Sequence, residues 1–448
     1  MYPPPRKYAW DVIHRVDREK TYANILLDQV LRKTALKEQD RAFITELVYG
    51  TLRWRGKIDH VITQFSSKPL SKLDPEILNI LRIGVYQLLF LRTPSSAAVD
   101  ESVKLSKNFT SGKASGFVNA VLRAIDRERD NIHYPSSDGD SVPYLSVEYS
   151  HPRWMVSMFL KMLGESDTER LLKVNNVVAP VTVRANTLVM SRDELAEHLI
   201  EEDGIESSPT PYSLDGLVLK NSPPAAQLGV VNRGLCLVQD EAAQLVSRLA
   251  APQPGWEILD TCAAPGGKTT HLATIMKNEG TIHAMDINPS RLTMIEDNAR
   301  RLGVTIIETR QADCSAPLKF PRNSFDAILV DPPCSDLGII RRHPDVKWIK
   351  NPDRITELAD LQLKMLTTAA KYVKAGGTLV YSVCTISRRE SEGIIGKFLE
   401  RSKVWTLEPA SEILPEAAEC CDKEGYLKTF PHMHGTDGFF AARLRRKT

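Results

Sequence analysis

One segment of the sequence passes from apolar residues into a glycine turn and then into the start of a helix: Ile258-Leu259-Asp260-Thr261-Cys262-Ala263-Ala264-Pro265-Gly266-Gly267-Lys268-Thr269-Thr270. A strand that leads through glycines into a helix is typical of the ligand-binding turn of an α/β sheet. Glycine lets the backbone approach a ligand closely, and the N-terminus of the helix offers N–H groups. The segment therefore predicts the first strand of a sheet that binds a small cofactor.

Short apolar segments and helical stretches alternate beyond this turn. The predicted strands are Trp256–Asp260, Thr281–Asp286, Ile306–Asp313, Phe325–Asp331 and Thr378–Cys384, and the predicted helices are Thr269–Asn278, Pro289–Leu302 and Ile355–Val373. The alternation predicts a Rossmann-like, mostly parallel sheet, whose ligands bind beyond the carboxyl ends of the strands. Four carboxylates and one thiol are expected at that edge: Asp260, Asp286, Asp313, Asp331 and Cys384.

The glycine turn separates three classes of cofactor. A dinucleotide would require G-x-G-x-x-G, which is absent here, and a P-loop would require glycine where Cys262 stands, although Gly267-Lys268-Thr269 matches the end of that motif. S-adenosylmethionine requires a glycine-bearing turn, a carboxylate that binds its ribose hydroxyls and a group near its adenine. Asp286 suits the ribose, and Asp313 suits the adenine. We therefore expect S-adenosylmethionine and no metal, with a P-loop-type nucleotide-binding protein as the alternative.

Two cysteines lie at or beyond the ends of predicted strands, in Asp331-Pro332-Pro333-Cys334-Ser335 and in Ser382-Val383-Cys384-Thr385. A thiolate that attacks carbon 6 of cytosine makes carbon 5 nucleophilic toward a methyl group, and a second thiol can assist the elimination that follows. A carboxylic acid near ring nitrogen 3 stabilises the developing charge, and Asp331 is placed for that role. The residues thus indicate cytosine-5 methylation, while their spacing leaves open which cysteine attacks.

The front of the chain is basic and has helical periodicity. Residues 1–130 contain 22 Lys and Arg against 15 Asp and Glu, whereas the remainder contains 36 against 41. This asymmetry indicates either a polyanion-binding domain or a solvated basic surface. The segment Arg53-Trp54-Arg55-Gly56-Lys57 suits phosphate contact with base stacking, or equally a buried tryptophan between surface arginines.

Three domains are expected: a helical domain at 1–135, a small α+β module at 150–240 and a catalytic domain at 241–448. A turn-rich connector is predicted at 133–152. In the small module we predict strands at Val181–Ala185 and Gly216–Lys220. Between them a helix is predicted at Arg192–Glu202, with Ser191 as its N-cap and Glu194 completing a capping box.

Taken together, the motifs Asp260–Lys268, Asp331–Ser335 and Ser382–Thr385 closely resemble those of the RNA (cytosine-5) methyltransferase family. The resemblance extends over the whole chain. The helical front resembles the NusB-like domain of the RsmB, Sun or Fmu branch, which acts on bacterial 16S rRNA. The segment Val183-Arg184-Ala185-Asn186-Thr187 resembles the RRM-like module of the same branch.

The resemblance implies that Cys384 is the nucleophile, that Cys334 helps to release the product, and that Asp331 acts on both base and cofactor. It implies that 16S rRNA is the partner, unassembled or partly assembled, with tRNA or 23S rRNA as alternatives, and that the loop Gly338–Pro344 faces RNA. The implied cofactor-binding residues are Cys262, Ala263, Ala264, Pro265, Gly266, Gly267, Lys268, Asp286, Asp313 and Asp331.

Composition sets the remaining expectations. No apolar run is long enough to span a bilayer, and the segment Met1–Lys7 lacks the apolar core of a signal peptide, so we expect a cytoplasmic protein without a membrane partner. The seven cysteines contain no C-x-x-C pair, which argues against a disulfide framework or a zinc ribbon. Nothing in the sequence demands an oligomer, and a monomer is expected.

Overall fold

The computed structural model describes residues 4–34, 36–107, 113–223 and 227–448. It divides the chain into two compact units. Unit 1 contains the chain up to Val178 together with Ile340–Asn351, and unit 2 contains Ala179–Ile339 and Pro352–Thr448. None of the described helices is both long and apolar enough to cross a membrane.

Among the described residues, unit 1 contains only helices, whereas unit 2 contains both helices and strands. In chain order, the helices are α1 (Pro5–Glu19), α2 (Ala23–Lys33), α3 (Glu38–Phe65), α4 (Pro75–Phe90), α5 (Ser95–Ser106), α6 (Lys113–Arg127), α7 (Ser141–Glu148), α8 (Arg153–Leu163), α9 (Glu165–Asn175), α10 (Arg192–Asp203), α11 (Gly229–Asn232), α12 (Glu241–Leu249), α13 (Gly267–Ile275), α14 (Pro289–Leu302), α15 (Val346–Ile349), α16 (Pro352–Ala369), α17 (Glu392–Arg401), α18 (Ala410–Ile413) and α19 (Pro431–His434). The strands are β1 (Val181–Ala185), β2 (Ser207–Pro209), β3 (Gly216–Leu219), β4 (Cys236–Val238), β5 (Glu257–Asp260), β6 (Thr281–Asp286), β7 (Ile307–Gln311), β8 (Phe325–Val330), β9 (Val373–Val383), β10 (Trp405–Glu408), β11 (Leu427–Thr429) and β12 (Phe439–Arg446).

Unit 1 is helical, as the periodicity of the front of the chain predicts. Helix α4 is buried over most of its length and packs against α1, α3, α5 and α6. Arg82 is a charged residue on this central helix. Its guanidinium donates to Asp59 at 2.7 Å and to Asp17 at 3.2 Å, because a buried charge is tolerated only when it is paired and hydrogen-bonded.

The segment Ile340–Asn351 belongs to unit 1, and its Trp348 and Ile349 pack against the hydrophobic core of that unit. Arg341 is 6% exposed and Lys347 is 1% exposed. The Lys347 ammonium donates to the carbonyl oxygens of Arg53 at 2.7 Å and Ser150 at 2.8 Å, and burial lowers the pKa of Lys347 well below its ordinary value. The expectation that the loop Gly338–Pro344 faces RNA is therefore wrong for Arg341, whose side chain is buried. Lys347, which lies beyond that loop, has a structural role.

The cation–aromatic segment at 53–57 also makes contacts inside unit 1. Arg55 pairs with Asp17 at 2.5 Å, and Lys57 pairs with Glu148 at 2.8 Å. Trp54 is half-buried against the helical core. Since these cations are already neutralised by carboxylates, the structural interpretation of the segment is the better one.

Helix α7 lies inside the stretch 133–152, where the turn-rich composition predicts a connector. Asp140 caps this helix by accepting a hydrogen bond from the Val142 amide at 3.0 Å. The three domain boundaries stay predictions.

Unit 2 begins with a small antiparallel sheet in the order β2-β3-β1-β4. The predicted strands β1 and β3 are confirmed, and β2 and β4 are additions, since each has only three residues and little periodicity to detect. The capping box of α10 is also confirmed: the Glu194 amide donates to Ser191 Oγ at 3.2 Å, and the Ser191 amide donates to the Glu194 carboxylate at 2.7 Å.

The second sheet of unit 2 has the order β10-β12-β9-β8-β5-β6-β7, with β11 paired to β12. The five strands from β9 to β7 are mutually parallel, and β10, β11 and β12 join antiparallel. The predicted mostly parallel fold is confirmed. Strand β7 ends at Gln311 instead of Asp313, and β9 begins at Val373 instead of Thr378. The sheet is apolar on both faces because helices cover it on both sides.

Candidate active site

The carboxyl ends of the parallel strands meet at one edge of the sheet. Asp260 and Asp286 end β5 and β6, while Asp331 and Cys384 directly follow β8 and β9. A cavity of about 440 Å³ opens there, a size usual for a small-molecule site. The residues that line it are Thr261, Cys262, Ala264, Asp286, Ile287, Arg291, Ala312, Asp313, Cys314, Ser315, Asp331, Pro332, Pro333, Cys334, Asp336, Leu361, Met365 and Cys384.

The glycine turn forms one wall of this cavity. Gly266 has φ +99°, and a Cβ at that position would lie 3.2 Å from the Cα of Ile295, so the turn requires glycine. Gly266 also precedes the first residue of α13. Among the predicted cofactor-binding residues of the turn, Cys262 and Ala264 line the cavity, whereas Ala263, Pro265, Gly266, Gly267 and Lys268 are absent from its lining.

The small sheet holds this turn in place from within unit 2. The Arg184 side chain, which extends from β1 and is 1% exposed, donates to the Gly267 carbonyl oxygen at 2.6 Å and to Thr270 Oγ1 at 3.1 Å. Because both acceptors lie in the first turn of α13, Arg184 fixes the start of that helix. The small module therefore positions the glycine turn.

Lys268 and Asp331 form an ion pair beside the cavity. Lys268 Nζ lies 2.6 Å from Asp331 Oδ2, and Ser382 Oγ donates to Asp331 Oδ1 at 2.7 Å. Burial lowers the pKa of Lys268, but the Asp331 carboxylate outweighs it, and the pKa lies above its ordinary value. Lys268 is therefore an ammonium engaged by a carboxylate, which argues against a P-loop, where this lysine binds phosphates.

The two cysteine sulfurs are in contact. Cys334 Sγ lies 3.3 Å from Cys384 Sγ, and Asp336 Oδ1 lies 3.2 Å from Cys384 Sγ and 3.5 Å from Cys334 Sγ. The hydrogen bond to Cys384, together with burial, raises the pKa of Cys334 well above its ordinary value. The same bond lowers the pKa of Cys384, although burial leaves it raised overall. The bond between the sulfurs therefore opposes ionisation of Cys334 and favours the thiolate of Cys384.

Asp336 is a site residue that the sequence analysis missed. It stands two residues beyond Cys334, has φ +60°, and lines the cavity. Its nearness to the Pro-Cys motif is the signal that would have found it. Among the described residues, the sulfurs of Cys334 and Cys384 and a carboxylate oxygen of Asp336 lie within 4.8 Å of one another.

A buried carboxylate supports the loop that carries Cys334. Glu390 accepts from the Ser335 amide at 2.8 Å and from Gln362 Nε2 at 3.1 Å, and Gln362 also donates to the Pro333 carbonyl at 3.0 Å. Burial raises the pKa of Glu390 despite these bonds. The network fixes the backbone on both sides of Cys334.

The predicted nucleoside-binding carboxylates are on the other wall. Asp286 Oδ1 accepts from the Asn288 amide at 2.9 Å, and Asp313 Oδ1 accepts from the Ser315 amide at 2.8 Å, which lowers the pKa of Asp313. Carboxylates suit the ribose hydroxyls and positive sulfonium of S-adenosylmethionine and repel the phosphates of ATP. The lining therefore fits S-adenosylmethionine.

Asp260, which is buried at the end of β5, makes the stability of the protein depend on pH. It is 1% exposed, and burial raises its pKa to about 7, an effect that the hydrogen bond from Thr269 Oγ1 at 2.7 Å reduces. The folded chain thus keeps a proton that the unfolded chain releases near the ordinary value of 3.8. The free energy of unfolding must then fall as pH rises between these two values, by up to about 1.4 kcal/mol per pH unit.

Asp260→Asn removes this dependence, because the amide has no proton to lose. Urea unfolding across this pH range should show the variant gaining stability relative to the wild type as pH rises, with a constant difference above about pH 7. Parallel stability curves for the two proteins would contradict the assignment.

Three family models match the chain. They are the 16S rRNA methyltransferase RsmB/F model at residues 247–445, the NusB family model at 3–127, and a ferredoxin-like domain of RsmF/B-like methyltransferases at 151–226. These matches confirm the helical NusB-like front, the small α+β module and the methyltransferase fold that the sequence predicts.

The chain is also similar to individual proteins over its whole length. It is 36% identical to a probable ribosomal RNA small subunit methyltransferase B of Bacillus subtilis, over 99% of this chain and 98% of the relative. It is 33% identical to ribosomal RNA small subunit methyltransferase B of Erwinia tasmaniensis, over 96% and 95%. The crystal structure of PH0851 superposes with a TM-score of 0.82 at 27% identity and covers 100% of both chains.

Proposed function

Because the chain belongs to the RsmB/F family of 16S rRNA methyltransferases, we propose that it methylates carbon 5 of a cytosine in 16S rRNA through a covalent bond to Cys384. The observation that carries this proposal is the contact of two thiols, 3.3 Å apart, at the cavity edge beside the Lys268–Asp331 pair. Methylation of an amino group or a ribose hydroxyl needs no protein thiol, whereas carbon 5 requires a nucleophile at carbon 6.

S-adenosylmethionine, when bound, supplies a methyl group on a positively charged sulfur. We assign Asp286 to its ribose hydroxyls, Asp313 to its adenine, and Asp331 and the turn Cys262–Lys268 to its amino-acid end. The cavity lining supports these roles because Asp286 and Asp313 lie together, and Cys262 and Ala264 line the same space.

Cys384 then attacks carbon 6 of the cytosine. Its proton passes to Asp336, whose Oδ1 lies 3.2 Å from the sulfur. Negative charge develops at ring nitrogen 3, where Asp331 stabilises it with the support of the Lys268 ammonium. Carbon 5 becomes nucleophilic and takes the methyl group.

Release of the product reverses the covalent bond. The methylated base loses the proton on carbon 5, and the Cys384 sulfur leaves carbon 6. Cys334 Sγ, 3.3 Å from that sulfur, is the group placed to assist this elimination as acid or base. This step gives the second thiol its role.

The substrate assignment rests on the family. A cytosine in a stacked helix hides carbon 6, so the target must be flipped out or unpaired. Unassembled or partly assembled small-subunit RNA offers such bases. Another RNA, such as tRNA or 23S rRNA, is the alternative under the same chemistry.

The test incubates the full chain with labelled S-adenosylmethionine and separate samples of 16S rRNA, assembled small subunits, 23S rRNA and tRNA. We expect 5-methylcytidine in unassembled 16S rRNA after digestion to nucleosides. A different methylated nucleoside would contradict the carbon 5 assignment, and methylation of tRNA alone would contradict the substrate. Titration with ATP should show no tight binding.

Asp286→Ala tests the assignment of Asp286 to the ribose of S-adenosylmethionine. Loss of a buried carboxylate that binds hydroxyl donors should weaken S-adenosylmethionine binding about 10- to 100-fold, since a charge-assisted hydrogen bond contributes about 1.5–3 kcal/mol. Isothermal titration calorimetry measures the effect. The matched control is Asp297→Ala, on the exposed face of α14 with 70% of its side chain accessible, which should bind normally. Equal affinity of both variants would place the ribose elsewhere.

A further inference from the structure

The two thiols of the site are close enough to bond. An S–S bond measures about 2.05 Å, so the sulfurs of Cys334 and Cys384, now 3.3 Å apart, must approach by little more than about 1 Å. They follow neighbouring parallel strands, β8 and β9, and both residues line the cavity of about 440 Å³. A small reagent that enters this cavity therefore reaches both sulfurs.

The two thiols differ in their accessibility: Cys334 is buried, whereas Cys384 is only partly buried. The Oδ1 atom of Asp336 is within hydrogen-bonding distance of both thiols and can accept a proton from either of them. The reactive form of cysteine toward oxidants is the thiolate. Cys384, the more accessible of the two residues, is therefore the one that reacts first, and Cys334 is the thiol beside it that resolves the product.

The other cysteines of the cavity define a competing pair. Cys262 and Cys314 line the same space, but the Cys314 thiol donates to the Thr261 carbonyl oxygen at 2.6 Å. Their mutual hydrogen bond, together with burial, raises the pKa of Cys262 well above its ordinary value. No acidic side chain accepts from the Cys314 thiol in the way that Asp336 accepts from Cys384, within the hydrogen bonds of the described residues.

We propose that Cys334 and Cys384 form a modification site at which a hydroperoxide makes a reversible disulfide. Cys384 sulfur attacks one peroxide oxygen, the O–O bond breaks, and a sulfenic acid and one water form from hydrogen peroxide. Cys334 sulfur then attacks the sulfenic sulfur, the S–O bond breaks, and a second water leaves. The two thiols lose two electrons and two protons to the peroxide, and a dithiol reductant restores them.

The disulfide removes the nucleophile reversibly and protects it from oxidation to sulfinic acid, which is irreversible in most proteins. The loss of methylation on oxidation rests on the proposed function. Formation of the disulfide does not depend on the proposed function, because it is measured from peptide masses in the absence of RNA and cofactor. The experiment can therefore contradict the disulfide without contradicting the proposed function, and the reverse.

The experiment treats the reduced full chain with hydrogen peroxide in the presence of a metal chelator, then blocks free thiols and maps peptides by mass spectrometry. We expect a cross-linked peptide that joins Cys334 to Cys384, forms faster as pH rises toward the thiol pKa values, and disappears with dithiothreitol. Methylation of RNA should fall at least about tenfold and return on reduction.

Three variants make the test specific. Cys421→Ala removes a half-buried thiol outside the cavity and should keep the cross-link. Cys334→Ser should instead accumulate sulfinic acid at Cys384, since no resolving thiol remains. Cys384→Ser should leave Cys334 reduced.

Sulfinic acid at Cys384 of the wild type without the cross-linked peptide would overturn the proposal, as would a disulfide between Cys262 and Cys314 with Cys334 and Cys384 free. If the cross-link forms and methylation persists, the modification site stands. In that case the proposed role of Cys384 as nucleophile is wrong.

Discussion

Cys384→Ala should reduce RNA methylation by at least about 10⁴-fold, because loss of a covalent nucleophile removes the only route that activates carbon 5. Affinity for S-adenosylmethionine should be nearly unchanged, since the carboxylates assigned to the cofactor are untouched. The measurement is single-turnover methylation of 16S rRNA with excess enzyme, together with calorimetric titration of the cofactor.

Cys421→Ala is the matched control for this loss. Its side chain is half-buried, and its sulfur donates to the Ala417 carbonyl at 3.5 Å, away from the cavity. Full activity of this control shows that removal of a cysteine is not damaging in itself. Substantial methylation by Cys384→Ala would rule out the covalent mechanism at this sulfur.

Cys334→Ala should have the second large effect, which is accumulation of a covalent protein–RNA adduct. The Cys384 sulfur still attacks and the methyl group still transfers, but the thiol 3.3 Å away that assists elimination is gone. The adduct is detected as a band of reduced mobility on a denaturing gel with labelled RNA and S-adenosylmethionine. Turnover should stop after about one methyl group per enzyme, as expected for a trapped covalent intermediate.

The double variant Cys334→Ala/Cys384→Ala is the control for the adduct, since without either thiol it should form none. The reverse pattern, an adduct in Cys384→Ala and none in Cys334→Ala, would make Cys334 the nucleophile. The contact between the sulfurs favours the first pattern, because it raises the pKa of Cys334 and acts to lower the pKa of Cys384.

Local sequence patterns were sufficient to predict the elements of the catalytic sheet. Strand β6 and helix α14 have the predicted bounds, and β5 and β8 differ from prediction by one residue at one end. These elements are periodic and buried on both sheet faces, so their apolar runs are long enough to detect. The rule that ligands bind at the carboxyl ends of parallel strands then placed Asp260, Asp286 and Asp331 at one edge.

Where the prediction failed, long-range packing was the reason. Arg341 lies in the loop Gly338–Pro344, which is expected to face RNA, yet its side chain is buried in the helical unit. Lys347, just beyond this loop, is buried in the same unit. Lys347 is held by carbonyl oxygens of Arg53 and Ser150, far away in the chain. From the sequence alone a charged residue is expected to be exposed. Its burial becomes evident only when its hydrogen-bond acceptors, which are distant in the chain, are known.

The sequence by itself therefore determined the parallel sheet, the class of cofactor, and the presence of carboxylates and two thiols at or beyond the ends of its strands. The tertiary structure decided how these groups act on one another: the contact of Cys334 with Cys384, the approach of Asp336 to both, and the pairing of Lys268 with Asp331. Periodicity carries information about neighbours a few positions apart. Proton donation between sulfurs 50 residues apart depends on distances of about 3 Å, which only the packed sheet defines.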